Sequence, residues 1–217
     1  MSGYSPRKTK KPGSTAPREV KHTFLLVCDD LKTSPIYFRG YNNDYRDSPL
    51  KIECPRSGGQ DPVNIIKYAK KLLNAEYDWL DLKTKDAVWC VFDRDETSDE
   101  SIKEVCNMAN KKNIKTCFSN PCFEVWYLLH FEDYNTTLGD CRNVITKLKG
   151  HIPTYEKNRD FYEVLKPYTL TAVRRAQKLC DNSEKDSDDL LCRNSDPCTQ
   201  VYLIVKEINK YTGCLKN

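Results

Sequence analysis

The 217-residue chain is 39% hydrophobic and 30% charged, the balance of a globular protein and not of a disordered one. That length suits one α/β domain with a helical extension and is short for two independent units. No apolar run of about 18 residues occurs, which excludes a membrane-spanning helix; the start is basic and polar, without the apolar core of a signal peptide. The chain is expected to be cytoplasmic.

The net charge of +4 is unevenly placed, because residues 1–22 carry six Lys/Arg against the single acid Glu19. Residues 1–21 are therefore expected to be a basic flexible tail, either a solvated leader or an electrostatic hold on nucleic acid. The rest is nearly neutral. Eleven cysteines are many, but the count is odd and no C-x-x-C pair occurs. Cys28, Cys90 and Cys117 lie in apolar runs, where cysteine acts as a small hydrophobe, the pattern of a reducing compartment. A zinc site assembled from Cys192, Cys198 and Cys214 is the lesser alternative.

From residue 22 onward, strand-like and helical stretches alternate. His22–Cys28 is a continuous apolar run of strand length, and Leu50–Cys54 is a second candidate. Asp61-Pro62 reads as an N-cap with proline at the first helical position, opening a helix to about residue 75 with Ile65, Ile66, Ala69, Leu72 and Leu73 on one face. Ala87–Phe92 is apolar throughout, as a strand covered on both faces should be. A helix from about Asp99 to Lys112 leads to a strand at Ile114–Phe118. Asn120-Pro121 is then expected to cap and start a helix running through Phe131.

The pattern predicts a parallel sheet with helices on both faces over residues 22–134. Residues 135–217 are expected to be all helical, with segments near 137–149, 159–166, 169–180 and 197–211 and a polar loop at Asp181–Asp189.

Chemistry concentrates where strands end. Val91-Phe-Asp-Arg-Asp-Glu96 places Asp93, Asp95 and Glu96 directly after the third strand, where open α/β sheets bind ligands. Residues 93 and 95 share a side of an extended chain, which suits a hard cation such as Mg²⁺ or Mn²⁺; the bland reading is a solvated turn. Arg94 either neutralises phosphate or pairs with a neighbour. The first strand ends in Asp29 and Asp30, followed by Lys32. A flavodoxin-like order would bring Asp29 beside Asp93. No G-x-x-x-x-G-K-[ST] loop occurs, and Ser57-Gly58-Gly59 is too short to cradle a polyphosphate. His130 reads as a packed helix residue. Tyr155 and Lys157 are either surface residues or a phosphate contact.

Three segments carry a family resemblance. Phe24-Leu-Leu-Val-Cys-Asp-Asp-Leu-Lys-Thr-Ser-Pro35 resembles the opening L-I-V-C-E-G-E-K-T-E-P of RloB-like proteins. Val88-Trp-Cys-Val-Phe-Asp-Arg-Asp-Glu96 resembles their central motif, and Ser119-Asn-Pro-Cys-Phe-Glu-Val-Trp-Tyr-Leu-Leu-His-Phe-Glu132 their third, S-N-P-C-F-E-L-W-L-L-L-H-F-E. Tyr155-x-Lys157 and Asp196-Pro-Cys-Thr199 are similar to weaker C-terminal marks. The resemblance implies a Toprim fold, shared with topoisomerases, bacterial primases and OLD nucleases, and a metal-dependent nuclease of bacterial defence loci that works with an ATPase partner on nucleic acid. It implies Asp93, Asp95 and Asp29 as ligands of Mg²⁺ or Mn²⁺, with Glu124 as a further catalytic ligand or a structural anchor. Lys32, Arg94 and Lys157 are the implied substrate contacts. Monomer and homo-oligomer both stay open. The first motif departs from the pattern: aspartate replaces the leading glutamate, Asp30 the glycine and Ser34 the closing glutamate. A catalytically weakened subunit that binds its partner or nucleic acid without cleaving is the alternative.

Overall fold

The computed structural model describes residues 22–56, 61–83, 85–94, 97–187 and 193–215. The basic tail, Ser57-Gly58-Gly59, Asp95, Glu96 and Cys192 lie outside them.

The elements, in order, are β1 (His22–Cys28), α1 (Thr33–Asp44), β2 (Leu50–Glu53), α2 (Pro62–Ala75), β3 (Ala87–Asp93), α3 (Asp99–Asn110) and β4 (Ile114–Asn120). They continue with α4 (Glu124–Leu128), α5 (Cys141–His151), α6 (Tyr162–Leu165), α7 (Thr169–Ser187), β5 (Cys198–Thr199) and α8 (Val201–Thr212). The strands form one sheet in the order β2-β1-β3-β4-β5. Its first four strands are parallel. β1 and β3 are neighbours, so their carboxyl ends open onto the same edge.

Alternation along the strands splits the core in two. Leu25, Val27, Val88, Cys90 and Phe92 face α2 and α3, where Ile65, Ile66, Ile102 and Val105 complete one cluster. Phe24, Leu26, Trp89 and Val91 face the other way, joining α1, α4, α5, α7 and α8. Residues on both sides of Asn135 share this second cluster. β1 and β3 are thus buried on both faces, which is why they read as unbroken apolar runs.

Several expectations need correction. The sheet is mixed, because β5 runs antiparallel to β4, pairing Ser119 with Thr199 and Asn120 with Cys198. The C-terminal part is therefore not all helical. A two-residue strand is too short for any periodicity to reveal; it is held by the Ser119–Thr199 hydroxyl pair at 2.9 Å. The third motif does not start a helix at Pro121. β4 continues to Asn120, whose side chain donates to Ser195 Oγ at 3.3 Å instead of capping, and the Asn120–Pro121 bond is cis. The helix α4 spans only Glu124–Leu128, with turns after it. Asp181–Ser187 continues α7 instead of forming a loop, since polarity alone does not distinguish an exposed helix from a loop.

Helix boundaries follow side-chain chemistry. Asp61 accepts from Val63 N and Asn64 N at 2.9 and 3.0 Å, capping α2 with Pro62 at its first position. Gly40 lies inside α1, where alanine would ordinarily stabilise by about 1 kcal/mol. A Cβ there would overlap the Cβ and ring carbons of Tyr162, whose ring is packed against Tyr41 and Tyr37. Gly40→Ala is therefore expected to lose about 1–3 kcal/mol through overpacking. Urea denaturation checks the sign, and a stabilised variant would show that α1 and α6 separate easily.

His130, 1% exposed, donates through Nδ1 to Trp126 O at 2.8 Å, while its Nε2 has no partner. Burial is the main cause that lowers its pKa from 6.5 to about 4, with Arg175 adding to it. The unfolded chain binds this proton first, so the contribution is complete above pH 6.5 and is lost as pH falls towards about 4. The loss is about 1.4 kcal/mol per pH unit inside that window. His130→Phe is expected to flatten this slope in denaturant melts between these limits; an unchanged slope would assign the acid sensitivity to other groups.

Candidate functional site at the carboxyl edge of the sheet

β1 and β3 end side by side, with Cys28 in register with Val91. The chain then turns so that Asp29 N donates to Val91 O at 2.9 Å. Asp93 N donates to the Asp29 carboxylate, Oδ2, at 2.8 Å. The two aspartates are thereby locked together at the edge where the parallel strands release their carboxyl ends. Both are half-buried. Asp95 lies outside the described residues.

Asp30 does different work. Its carboxylate accepts from Lys32 N at 2.6 Å, from Ser34 N at 3.2 Å and from the Ser34 hydroxyl. It fastens the start of α1, where helix N–H groups have no intrahelical partner. Ser34 is fully buried in that arrangement. Lys32 is exposed.

Arg94 is 4% exposed and meets Asp99, the first residue of α3, at 2.5 Å through Nη2. That contact lacks hydrogen-bond alignment, and Arg94 Nε and Nη1 are buried without partners.

Glu124 opens α4 and is 1% exposed. Its Oε1 accepts from Tyr155 OH at 2.8 Å and Thr33 Oγ1 at 3.2 Å, and Lys157 Nζ lies 3.3 Å away. A buried charge persists only when paired and hydrogen-bonded, and here both conditions are met. Burial pushes the Tyr155 hydroxyl well up and Glu124 pushes it further, so Tyr155 stays a donor. Burial acts to lower the Lys157 pKa, but Glu124, Asp93 and Asp30 outweigh it and raise it above its ordinary value. Lys157 is thus a fixed positive charge facing carboxylates from three separate motifs, with its side chain still 47% exposed.

The structure thus places Asp29 and Asp93 together and links Glu124, Thr33, Tyr155 and Lys157 beside them through Lys157. Lys32 is exposed, and Arg94 meets Asp99. Thr33 and the buried role of Tyr155 were missed. Thr33 stood unremarked inside the first motif, and the Y-x-K spacing that marked Tyr155 says nothing about a partner 31 residues away.

The cysteines also differ from expectation. Cys122 and Cys141 form a disulfide with Cα atoms 5.6 Å apart, so not all cysteines are free. Cys198 lies beside Cys180, at 3.3 Å between sulfurs, and does not join Cys214 in any potential metal cluster among the described residues. No described helix is long and apolar enough to cross a membrane.

A model of the RloB-like protein family matches residues 24–208. This chain is an RloB-like protein. The matched span covers all three acidic or aromatic motifs and extends through most of α8, so the C-terminal helices belong to the RloB-like unit as much as the sheet does. No curated protein and no solved structure matches the chain.

The residues present fit a hard divalent cation. Asp29 and Asp93 offer an all-oxygen donor set from adjoining strand ends, the type that binds Mg²⁺ through one or two carboxylates and retained waters. Lys157 adds a cation suited to phosphate.

Proposed function

We propose that this RloB-like chain is a Mg²⁺- or Mn²⁺-dependent nuclease of Toprim type that hydrolyses phosphodiester bonds of DNA or RNA in bacterial defence, together with an ATPase partner. The observation that carries the reading is the Asp29–Asp93 pair, joined at 2.8 Å where two parallel strands end. Asp29 and Asp93, with Asp95, would hold the cation. When bound, it would supply charge stabilisation at the scissile phosphate and acidify a water.

The chain's own residues do the rest. The Asp93 N–H fixes the Asp29 carboxylate, so the donor set is preorganised by the sheet and not by a loop. Lys157 is held by Glu124 and remains positive at neutral pH, ready to receive a phosphate oxygen. Thr33 and Tyr155 keep Glu124 in place, which makes Glu124 a positioning residue for Lys157.

One observation favours the weaker, non-cleaving alternative. Asp30 and Ser34 occupy the family's glycine and closing glutamate positions, and they are bonded to each other. The Ser34 position thus offers no carboxylate, and the Asp30 carboxylate is taken up by Ser34 and by Lys32 N, which supports a weakened site.

The two readings separate in one assay. The isolated chain and the chain with its ATPase partner are titrated with Mg²⁺ and Mn²⁺ over mixed DNA and RNA substrates. Metal-dependent cleavage is the expected result. Wild type that stays inert under all these conditions, and gains activity only as Asp29→Glu, would make it a binding subunit.

A further inference from the structure

Cys122 follows β4, Glu124 opens α4 and Cys141 is the first residue of α5. Their ligand atoms, two sulfurs and a carboxylate oxygen, all lie within 4.8 Å of one another. Cys122 is buried and Cys141 partly exposed, so the group is closed on one side and open on the other. The carboxylate is divided in its duties. Oε1 receives Tyr155, Thr33 and Lys157, whereas Oε2 faces Cys141 Sγ at 3.5 Å. A disulfide sulfur has no proton to donate, so this last approach is a contact waiting for a different partner. Metal-bound carboxylates are oriented in this way, one oxygen held by the protein and the other presented to the ion.

We propose that, when the disulfide is reduced, Cys122, Cys141 and Glu124 Oε2 bind one thiophilic divalent cation such as Zn²⁺, with water in the fourth position. Three protein ligands plus water is the arrangement of open zinc sites. Soft sulfur donors select against Mg²⁺, so this centre is chemically distinct from the all-oxygen Asp29–Asp93 pair. Reduction by a dithiol breaks the S–S bond. Two electrons and two protons pass to the sulfurs, giving two thiols, and the reductant closes to its own disulfide. Both thiol protons leave when the cation binds. Two thiolates and a carboxylate around a dication leave one negative charge, which Lys157 offsets from 3.8 Å off Cys141 Sγ. Metal and disulfide exclude each other, since both use the same sulfur electrons.

The test uses the full chain, reduced and freed of reductant, titrated with Co²⁺ and then with Zn²⁺. The expected result is one Co²⁺ per chain with a thiolate-to-cobalt charge-transfer band and the intense d–d bands of four-coordination, both removed by Zn²⁺. Cys122→Ser and Cys141→Ser are expected to lose the band, and Glu124→Gln to weaken binding by on the order of tenfold or more. Asp93→Asn should leave it unchanged, so this centre and the nuclease reading fail separately. A band that persists in Cys141→Ser, or a reduced wild type that shows none, overturns the proposal. Alkylation of reduced wild type needs no variant to fold: Zn²⁺ should protect Cys122 and Cys141 from iodoacetamide, and equal labelling with and without Zn²⁺ also overturns it.

Discussion

Asp93→Asn is expected to abolish metal-dependent cleavage, with a rate loss on the order of a thousandfold or more, while the fold is retained. The magnitude follows from losing several kcal/mol of metal-centred charge stabilisation, at about 1.4 kcal/mol per factor of ten. The fold should survive because the Asp93 backbone N–H, which donates to Asp29, is untouched by the substitution and the amide keeps the shape of the side chain. Asp29→Glu should keep or raise activity. Its longer stem restores the reach of the family's leading glutamate and still offers Asp93 N an acceptor. Single-turnover cleavage at saturating Mg²⁺, beside near-ultraviolet circular dichroism, separates chemistry from folding. Near-wild-type cleavage by a folded Asp93→Asn would move the catalytic centre elsewhere.

Glu124→Ala is expected to cost about 3–5 kcal/mol of stability, the range for removing one partner of a buried charge network. Glu124 is 1% exposed and holds Tyr155, Thr33 and Lys157. Its removal strands the Tyr155 hydroxyl and opens a cavity, while Thr33 Oγ1 keeps Lys157 O as an acceptor at 3.4 Å. Only Lys157, whose side chain is 47% exposed, recovers water readily. Glu124→Gln keeps the Oε1 acceptor and should cost about 1–2 kcal/mol, the difference reflecting the lost charge. Urea melts in one redox state compare the three proteins. A Glu124→Ala chain within about 0.5 kcal/mol of wild type, the range of unimportant surface changes, would contradict this anchoring role.

What was legible in the sequence was whatever repeats or punctuates locally. β1 and β3 read as unbroken apolar runs because helices cover both their faces, and α2 announced itself through Asp61-Pro62 and its apolar stripe. Adjacent aspartates after two such strands pointed to one edge, since parallel strands release their carboxyl ends together. β5 was invisible because two residues carry no period and their pairing with Ser119 and Asn120 spans 78 to 80 positions. The third motif misled for a related reason. Asn-Pro is a valid helix start by local rules, but Asn120 is taken up by the sheet and by Ser195. Tertiary contacts outrank such local preferences. The Glu124 network escaped in the same way, since Thr33, Tyr155 and Lys157 meet it only through the packing of α1 and the α5–α6 segment on α4. Cys122 and Cys141, not singled out among the eleven cysteines, are brought together by α5 packing on α4, and no spacing rule covers that.

Whether Asp29 and Asp93 hold a cation is read most directly by electron paramagnetic resonance of Mn²⁺, a hard ion that prefers oxygen donors. The protein is kept oxidised, so that Cys122 and Cys141 cannot compete. Wild type is expected to bind one Mn²⁺ that Mg²⁺ displaces, and the double variant Asp29→Asn/Asp93→Asn to bind none. Mn²⁺ bound as tightly by the double variant, or not at all by wild type, would contradict a metal centre at this edge of the sheet.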